Sequence, residues 1–296
     1  MYTIELVPRK TAICIQLVPA MIPKYTLIIR IIGSAVLLYL GFKIFYSNPA
    51  KQIRKQQIKT SNPKNLILFG LPKVGKTTAL SFLPKALHID LEDGTDYISA
   101  FTYKAKTYMD LYKIAMELKD NPGQFDFTIL DTITALEDIV LPYANKLYRE
   151  TSMGVNFDAE TSVLTLANGA GYLYLRQAMQ RVIGWFEKVS PNVILVGHVK
   201  DKALNENGTE LNVKDLDLTG KIGRILSAGS DAICYVYRDI ETTDLMANFG
   251  DMNSVLCGAR MPHLAGKTIL LAQRQEDGGI KTFWENIYPS LTQNKE

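Results

Sequence analysis

The chain has 296 residues and a formal net charge of +3, with 47% hydrophobic and 21% charged residues. That balance excludes a disordered chain, a collagen-like chain and a coiled-coil rod, and suits one large α/β domain or two smaller ones. The three cysteines (Cys14, Cys234, Cys257) form no CxxC and the three histidines (His88, His198, His263) are scattered. A disulfide framework, a zinc ribbon and a histidine metal cluster are therefore excluded, and a reducing compartment is expected.

The charge is unevenly placed. Residues 1–64 carry ten Lys and Arg against the single acid Glu5, a net +9, which leaves residues 65–296 at −6. The basic character belongs to an N-terminal arm, and the overall field of the main domain opposes the approach of phosphate.

Within the arm, residues 1–24 form an N-terminal segment and Tyr25 to Tyr46 an apolar run whose only charges are Arg30 and Lys43. As a helix it would be about 33 Å long, enough for a bilayer core of about 30 Å. Arg30 and Lys43 would then snorkel toward the two interfaces. Lys51, Arg54, Lys55, Lys59 and Lys64 follow, so the positive-inside rule puts the C-terminal side in the cytoplasm. The expectation is a transmembrane helix at 25–46 and a basic linker at 47–64, with the main domain cytoplasmic and anchored to the inner face of the membrane. Two other readings stay open: a packed or partner-binding helix, and a natural product starting near residue 58.

From residue 65 the pattern changes to a domain covering 65–296. NLILFG is a short apolar run ended by glycine, as in a buried strand, and it leads into GLPKVGKT and an apolar helical stretch, TALSFL. ALHIDL (86–91) reads as a second strand, 109–118 as a helix and FTIL (127–130) as a third strand ending at Asp131. Helices are expected at 136–149, with Pro142 a kink, and at 171–189; a fourth strand is expected at VILV (193–196). Further strands are expected at 232–237, 254–257 and 268–271, and 283–288 reads as a packing segment. Alternating strands and helices imply an α/β fold with a mostly parallel sheet sandwiched by helices.

Gly70-Leu71-Pro72-Lys73-Val74-Gly75-Lys76-Thr77 matches G-x-x-x-x-G-K-[ST], the Walker A pattern, in the required place between a strand and a helix. Its glycines let backbone N–H groups wrap a phosphate, with Thr78 next in line and the helix offering its positive N-terminus. Lys76 would reach the β- and γ-phosphates of a nucleotide and the Thr77 hydroxyl would bind Mg²⁺. Asp131, delivered by the third strand 54 residues after Thr77, would hold the same ion through water.

No Glu follows Asp131, so the base that activates water must come from elsewhere. In HIDLEDG, alternation sends Asp90 and Glu92 to one side, with Glu92 at the strand's C-terminal end, where ligands bind in open α/β sheets. Glu92 there could deprotonate the attacking water; a solvated turn before Gly94 is the alternative. In VILVGHVK, His198 would face the γ-phosphate from the next strand, or serve as a structural hydrogen-bonder.

Glu on the second strand, Asp131-Thr132 on the third and a polar sensor on the fourth resemble the RecA-like branch of P-loop ATPases. More closely, G-x-P-K-x-G-K-T, D-x-E-x-G at 90–94, Gly197-His198 and LTGKIG at 218–223 resemble the phage RecA-core nucleotide-binding proteins, some of them single-strand annealing proteins. The resemblance spans residues 65–237. It implies ATP and Mg²⁺ as cofactors, a single-stranded DNA partner, a homo-oligomer, and catalytic or binding roles for Lys76, Thr77, Glu92, Asp131 and His198. Lys221 and Arg224 stand where a neighbouring subunit would receive a cation in trans, or are a solvated basic turn. RecA-like proteins read DNA with two mobile loops, and the corresponding segments here are 151–169 and 201–218. The first has no Lys or Arg, and the second sets Lys202 and Lys214 against five acids. No adenine-reading motif is visible. The sequence thus points to a Mg²⁺-dependent ATPase of phage-type recombination or annealing, with a membrane-tethered motor or assembly ATPase as the second reading.

Overall fold

The computed structural model describes residues 6–9, 12–15, 62–206, 209–250 and 254–293. It divides into two units, Met1–Ile58 and Lys59–Glu296. In the first, strands β1 (Leu6–Arg9) and β2 (Ala12–Ile15) pair antiparallel. The apolar run at 25–46 and most of the linker lie outside the described residues. Among the described residues no helix is long and apolar enough to cross a membrane.

The second unit is built on an eleven-stranded sheet. Its parallel part runs β9 (Ala232–Arg238), β3 (Asn65–Gly70), β7 (Asn192–Glu206), β6 (Phe127–Asp131), β4 (Ala86–Asp90) and β5 (Phe101–Lys104). Beyond β9 the sheet turns antiparallel through β10 (Leu245–Asn248), β12 (Thr268–Arg274) and β13 (Ile280–Thr282). Two strands branch off: β8 (Thr209–Leu216) pairs with β7, and β11 (Gly258–Ala259) with β9.

The unbroken apolar runs of β3, β4 and β6 are explained by burial on both faces. Ile67 and Phe69 point into one core with helices α2 (Tyr108–Asp120), α3 (Ile133–Arg149) and α4 (Gly171–Val189). Leu66 and Leu68 point into the other, with α1 (Lys76–Leu80) and the C-terminal strands. The remaining helices are α5 (Ile222–Gly229) and α6 (Ser290–Gln293). Thr107 and Asp110 form a capping box that starts α2, and the Thr132 hydroxyl accepts from Ala135 N to start α3. Helix α3 runs through Pro142. The expected packing segment lies in the second core: Trp284, Ile287 and Tyr288 are buried, and Trp284 Nε1 donates to Ala79 O at 2.8 Å.

Several local expectations need correction. Helix α1 is only five residues long; Pro84 restricts the residue before it and stops the turn early. Residues 254–257 form no strand: Val255 makes an isolated bridge to Lys214, and the pairing to β9 is made by Gly258 and Ala259. Residues 201–216 belong to a long β-hairpin, paired from Val199↔Leu216 to Glu206↔Thr209.

Two positions stand out for their environment. Gly184 sits inside α4 with open space where a Cβ would be, although glycine in a helix costs about 0.5–1 kcal/mol relative to alanine. His88 on β4 is fully buried, and that burial lowers its imidazole pKa to about 4. The unfolded chain takes up a proton near pH 6.5, which the folded chain refuses until about pH 4. Folding stability therefore falls as pH drops through that window, by about 3 kcal/mol at most. Denaturant titrations from pH 7 to pH 4 should show this loss, and His88→Leu should remove most of it; an equally acid-sensitive variant would place the effect elsewhere.

Candidate nucleotide-binding site

The site lies where the parallel strands end together. Register pairs Asp90 with Asp131 and Gly70 with His198. Beyond Gly70 the chain leaves the sheet as the glycine-rich loop. Gly70 has no room for a side chain, because a Cβ would stand 2.3 Å from Val236 O. Gly75 takes a φ of 113°, in the region that glycine adopts without strain. With α1 so short, the helix dipole is small, and anion binding rests on the loop's own N–H groups.

Lys76 is buried, and its ammonium donates to Gly70 O at 2.9 Å and Leu71 O at 2.8 Å. Burial lowers its pKa to about 8, while the charges of Asp131 and Glu92 work to raise it. Thr77 Oγ1 donates to Asp131 Oδ2 at 2.6 Å. Burial raises the pKa of Asp131 above the usual carboxylate range, against the Thr77 bond and the Lys76 charge. A hydroxyl and a buried carboxylate are the hard oxygen donors that Mg²⁺ takes from a protein when phosphates complete its shell. The residues present therefore fit that ion.

Glu92 is held from two sides. Thr132 Oγ1 donates to Glu92 Oε1 at 2.5 Å, and His198 Nε2 lies 3.3 Å from Glu92 Oε2. His198 Nδ1 is buried without a hydrogen-bond partner. Lys76, Thr77, Glu92, Asp131 and His198 line one cavity of about 380 Å³. Of the other loop residues, Pro72, Lys73, Gly75 and Thr78 line it too.

Asp90, on the same side as Glu92, builds the turn that follows β4. It accepts from the amides of Glu92, Gly94 and Thr95 and from Thr95 Oγ1. Burial pushes its pKa up, but these four bonds outweigh it and hold the carboxyl below its usual range. Both oxygens are committed, so Asp90 builds the turn that presents Glu92. Asp90 and Thr95, five residues apart, were the sequence signal for this turn. Thr132 doubles as helix cap and Glu92 donor. Lys221 and Arg224 are exposed at the start of α5 and do not line the cavity. Their loop is tied down by Glu137, which accepts from Thr219 N at 2.9 Å and Thr219 Oγ1 at 3.0 Å.

Arg238, at the end of β9, has no motif around it to mark it in the sequence. Its Nη1 donates to Thr243 O at 2.8 Å, and its Nη2 lies 2.8 Å from where a Gly75 Cβ would be. It borders a second cavity of about 160 Å³ with Leu245, Gln273 and Ile280; this cavity shares Lys73, Gly75 and Thr78 with the first.

A family model for an AAA domain, AAA_24, matches residues 62–272. The chain belongs to this AAA-domain family. No curated protein sequence matches it. Among solved structures, the RadB recombinase is similar at 14% identity and a TM-score of 0.42, covering 75% of this chain and 92% of that one. A KaiC-like protein from the hyperthermophilic archaeon Pyrococcus horikoshii OT3 is similar at 11% identity and a TM-score of 0.39, covering 76% and 90%. In this AAA-domain chain the strand order is β9-β3-β7-β6-β4, with β7 between the loop strand and the Asp131 strand.

If Asp90 is a turn-builder, Asp90→Ala should lower stability by about 3 kcal/mol, because three amides lose a charged acceptor. It should also scatter Glu92. Thermal unfolding would show the loss; an unchanged Tm would mean that the turn stands without it.

Proposed function

We propose that this chain is a Mg²⁺-dependent ATPase that acts on single-stranded DNA in recombination or strand annealing. The observation that carries the ATPase reading is the position of Glu92, which shares one cavity with Lys76, Thr77 and Asp131 and is oriented by Thr132 and His198. Lys76 would exchange its bonds to the loop carbonyls for the β- and γ-phosphate oxygens. Thr77 and Asp131 would hold Mg²⁺, which when bound neutralises phosphate charge. Glu92 would take the proton of a water as that water attacks the γ-phosphorus and the bond to the bridging oxygen breaks, giving ADP and phosphate. His198, touching Glu92 and continuing into the β-hairpin, is placed to register the loss of the γ-phosphate. The nucleoside half would lie toward the second cavity, since the two cavities meet across Gly75 and Thr78. DNA as the client is supported by the resemblance of the Asp90–Gly94, Gly197-His198 and Leu218–Gly223 segments to phage RecA-core nucleotide-binding proteins, some of them single-strand annealing proteins.

Lys76→Ala should lower ATP turnover at least about 100-fold and weaken ATP binding. Glu92→Gln keeps the shape of the side chain and removes the base, so turnover should fall by about 10²-fold or more at nearly unchanged ATP affinity. Normal hydrolysis by Lys76→Ala would overturn the site, and normal hydrolysis by Glu92→Gln would overturn the choice of base.

The apolar run at 25–46 and its basic flank favour a second reading, a membrane-tethered motor or assembly ATPase. On that reading the full chain pellets with membranes and resists high-salt extraction, whereas a chain starting at Ile58 stays in the supernatant. A full chain released by salt would reject the tether and leave the ATPase residues untouched.

A further inference from the structure

We propose that the outer face of α4 is a groove for single-stranded nucleic acid, a surface distinct from the hairpin and loops discussed above. The inference rests on the DNA part of the proposed function. Gln177, Gln180, Arg181, Gly184, Trp185 and Lys188 line an open depression of about 350 Å³. Their spacing is that of one helical stripe, opposite the buried stripe of Leu175, Ala178, Met179, Val182, Ile183 and Phe186. Gly184 forms the floor. Its missing side chain serves no packing inside the molecule, since nothing lies within 4 Å of a Cβ built there. A helix that tolerates glycine at such a point has room for something from outside.

Charge says what. Helix α4 carries Arg176, Arg181 and Lys188 against one acid, Glu187, in a domain that is net negative. Among the described residues none of the three cations forms an ion pair, and Glu187 accepts from Asn65 Nδ2 at 2.9 Å. In the β7–β8 hairpin, by contrast, Lys200, Lys202 and Lys214 pair with Asp217, Asp215 and Asp201. The segment expected to grip phosphate has its cations matched within itself, whereas α4 keeps its cations unmatched.

Trp185 makes the ligand single-stranded. Its ring is fixed edge-on to Tyr112 at 5.4 Å and tilted to Tyr143 at 5.9 Å, and Tyr143 stacks on Tyr108 at 5.2 Å. An immobilised aromatic beside two cations is a stacking platform for an unpaired base, with the phosphates on Arg181 and Lys188. These two are seven residues apart, about 10 Å along the axis, and Gly184 and Trp185 lie between them.

The full-length chain is titrated with an oligothymidylate at several salt concentrations, reading both tryptophan fluorescence and the anisotropy of a labelled strand. Trp284, the other tryptophan, is 2% exposed and serves as the silent one. Quenching is expected in the wild type and lost in Trp185→Phe. Arg181→Glu with Lys188→Glu should weaken binding at least tenfold and flatten the salt dependence by one to two phosphate contacts. Gly184→Leu should fill the floor, weaken binding about tenfold, and unfold no earlier than the wild type, because the site is open and leucine favours helix. Wild-type binding that survives all three changes overturns the groove and leaves the DNA-acting ATPase standing. Equal competition by polyglutamate overturns it in favour of an acidic protein. No oligonucleotide binding by the wild type overturns the groove and the DNA client together, while loss of ATP turnover in Lys76→Ala still upholds the ATPase.

Discussion

Everything at the candidate site depends on the parallel register that brings the ends of β3, β4 and β6 to one level beside β7, which itself runs on to Glu206. Parallel pairing fixes the register, so Asp90 lies opposite Asp131 and Gly70 opposite His198 without adjustment by the loops. Strand β7 sits between the strand that feeds the phosphate loop and the strand that delivers Asp131. The loop must therefore reach across the end of β7 to bring Thr77 to Asp131, and His198 is caught beneath that span. Neither neighbour needs a long side chain to meet the other, which explains why a threonine suffices at both 77 and 132.

The same crowding sets the electrostatics. Asp131 and Glu92 face a single buried cation, Lys76, whose charge is already engaged by two carbonyls. Asp90, kept ionised by a ring of amide dipoles, adds to the excess and works to raise the pKa of Asp131. The pocket is thus short of positive charge at the point where a triphosphate would add more negative charge, an imbalance that a divalent cation held by Thr77 and Asp131 would correct.

How much of this is legible in the sequence follows from range. The phosphate loop, Asp131, Glu92 and His198 could be read because each is a local pattern: a glycine spacing, or an apolar run that ends in one polar residue. The turn built on Asp90 could not be read, because alternation tells which side a residue faces and nothing about which amides will turn toward it. The hairpin looked like a loop since its polar, acidic composition hides a cross-strand code: Lys200 faces Asp215 and Asp201 faces Lys214 in antiparallel register, and Lys202 reaches Asp215 diagonally. Arg238 had no local signal at all; its nearness to Gly75 exists only after β9 has paired with β3.

That last pairing has a consequence for the order of assembly during synthesis. Strand β3 is flanked by β7 and β9, whose partners for Asn65 and Leu66 are Val193 and Ala232. Each lies more than about a hundred residues downstream, and closing such separations slows folding. The phosphate loop therefore leaves the ribosome long before the two strands that hold its base, and Trp284, which fastens α1 through Ala79, emerges later still. A nascent chain stalled before residue 232 carries the complete glycine-rich signature and cannot yet close the sheet beneath it, so the loop gains its rigid base only after β9 has emerged.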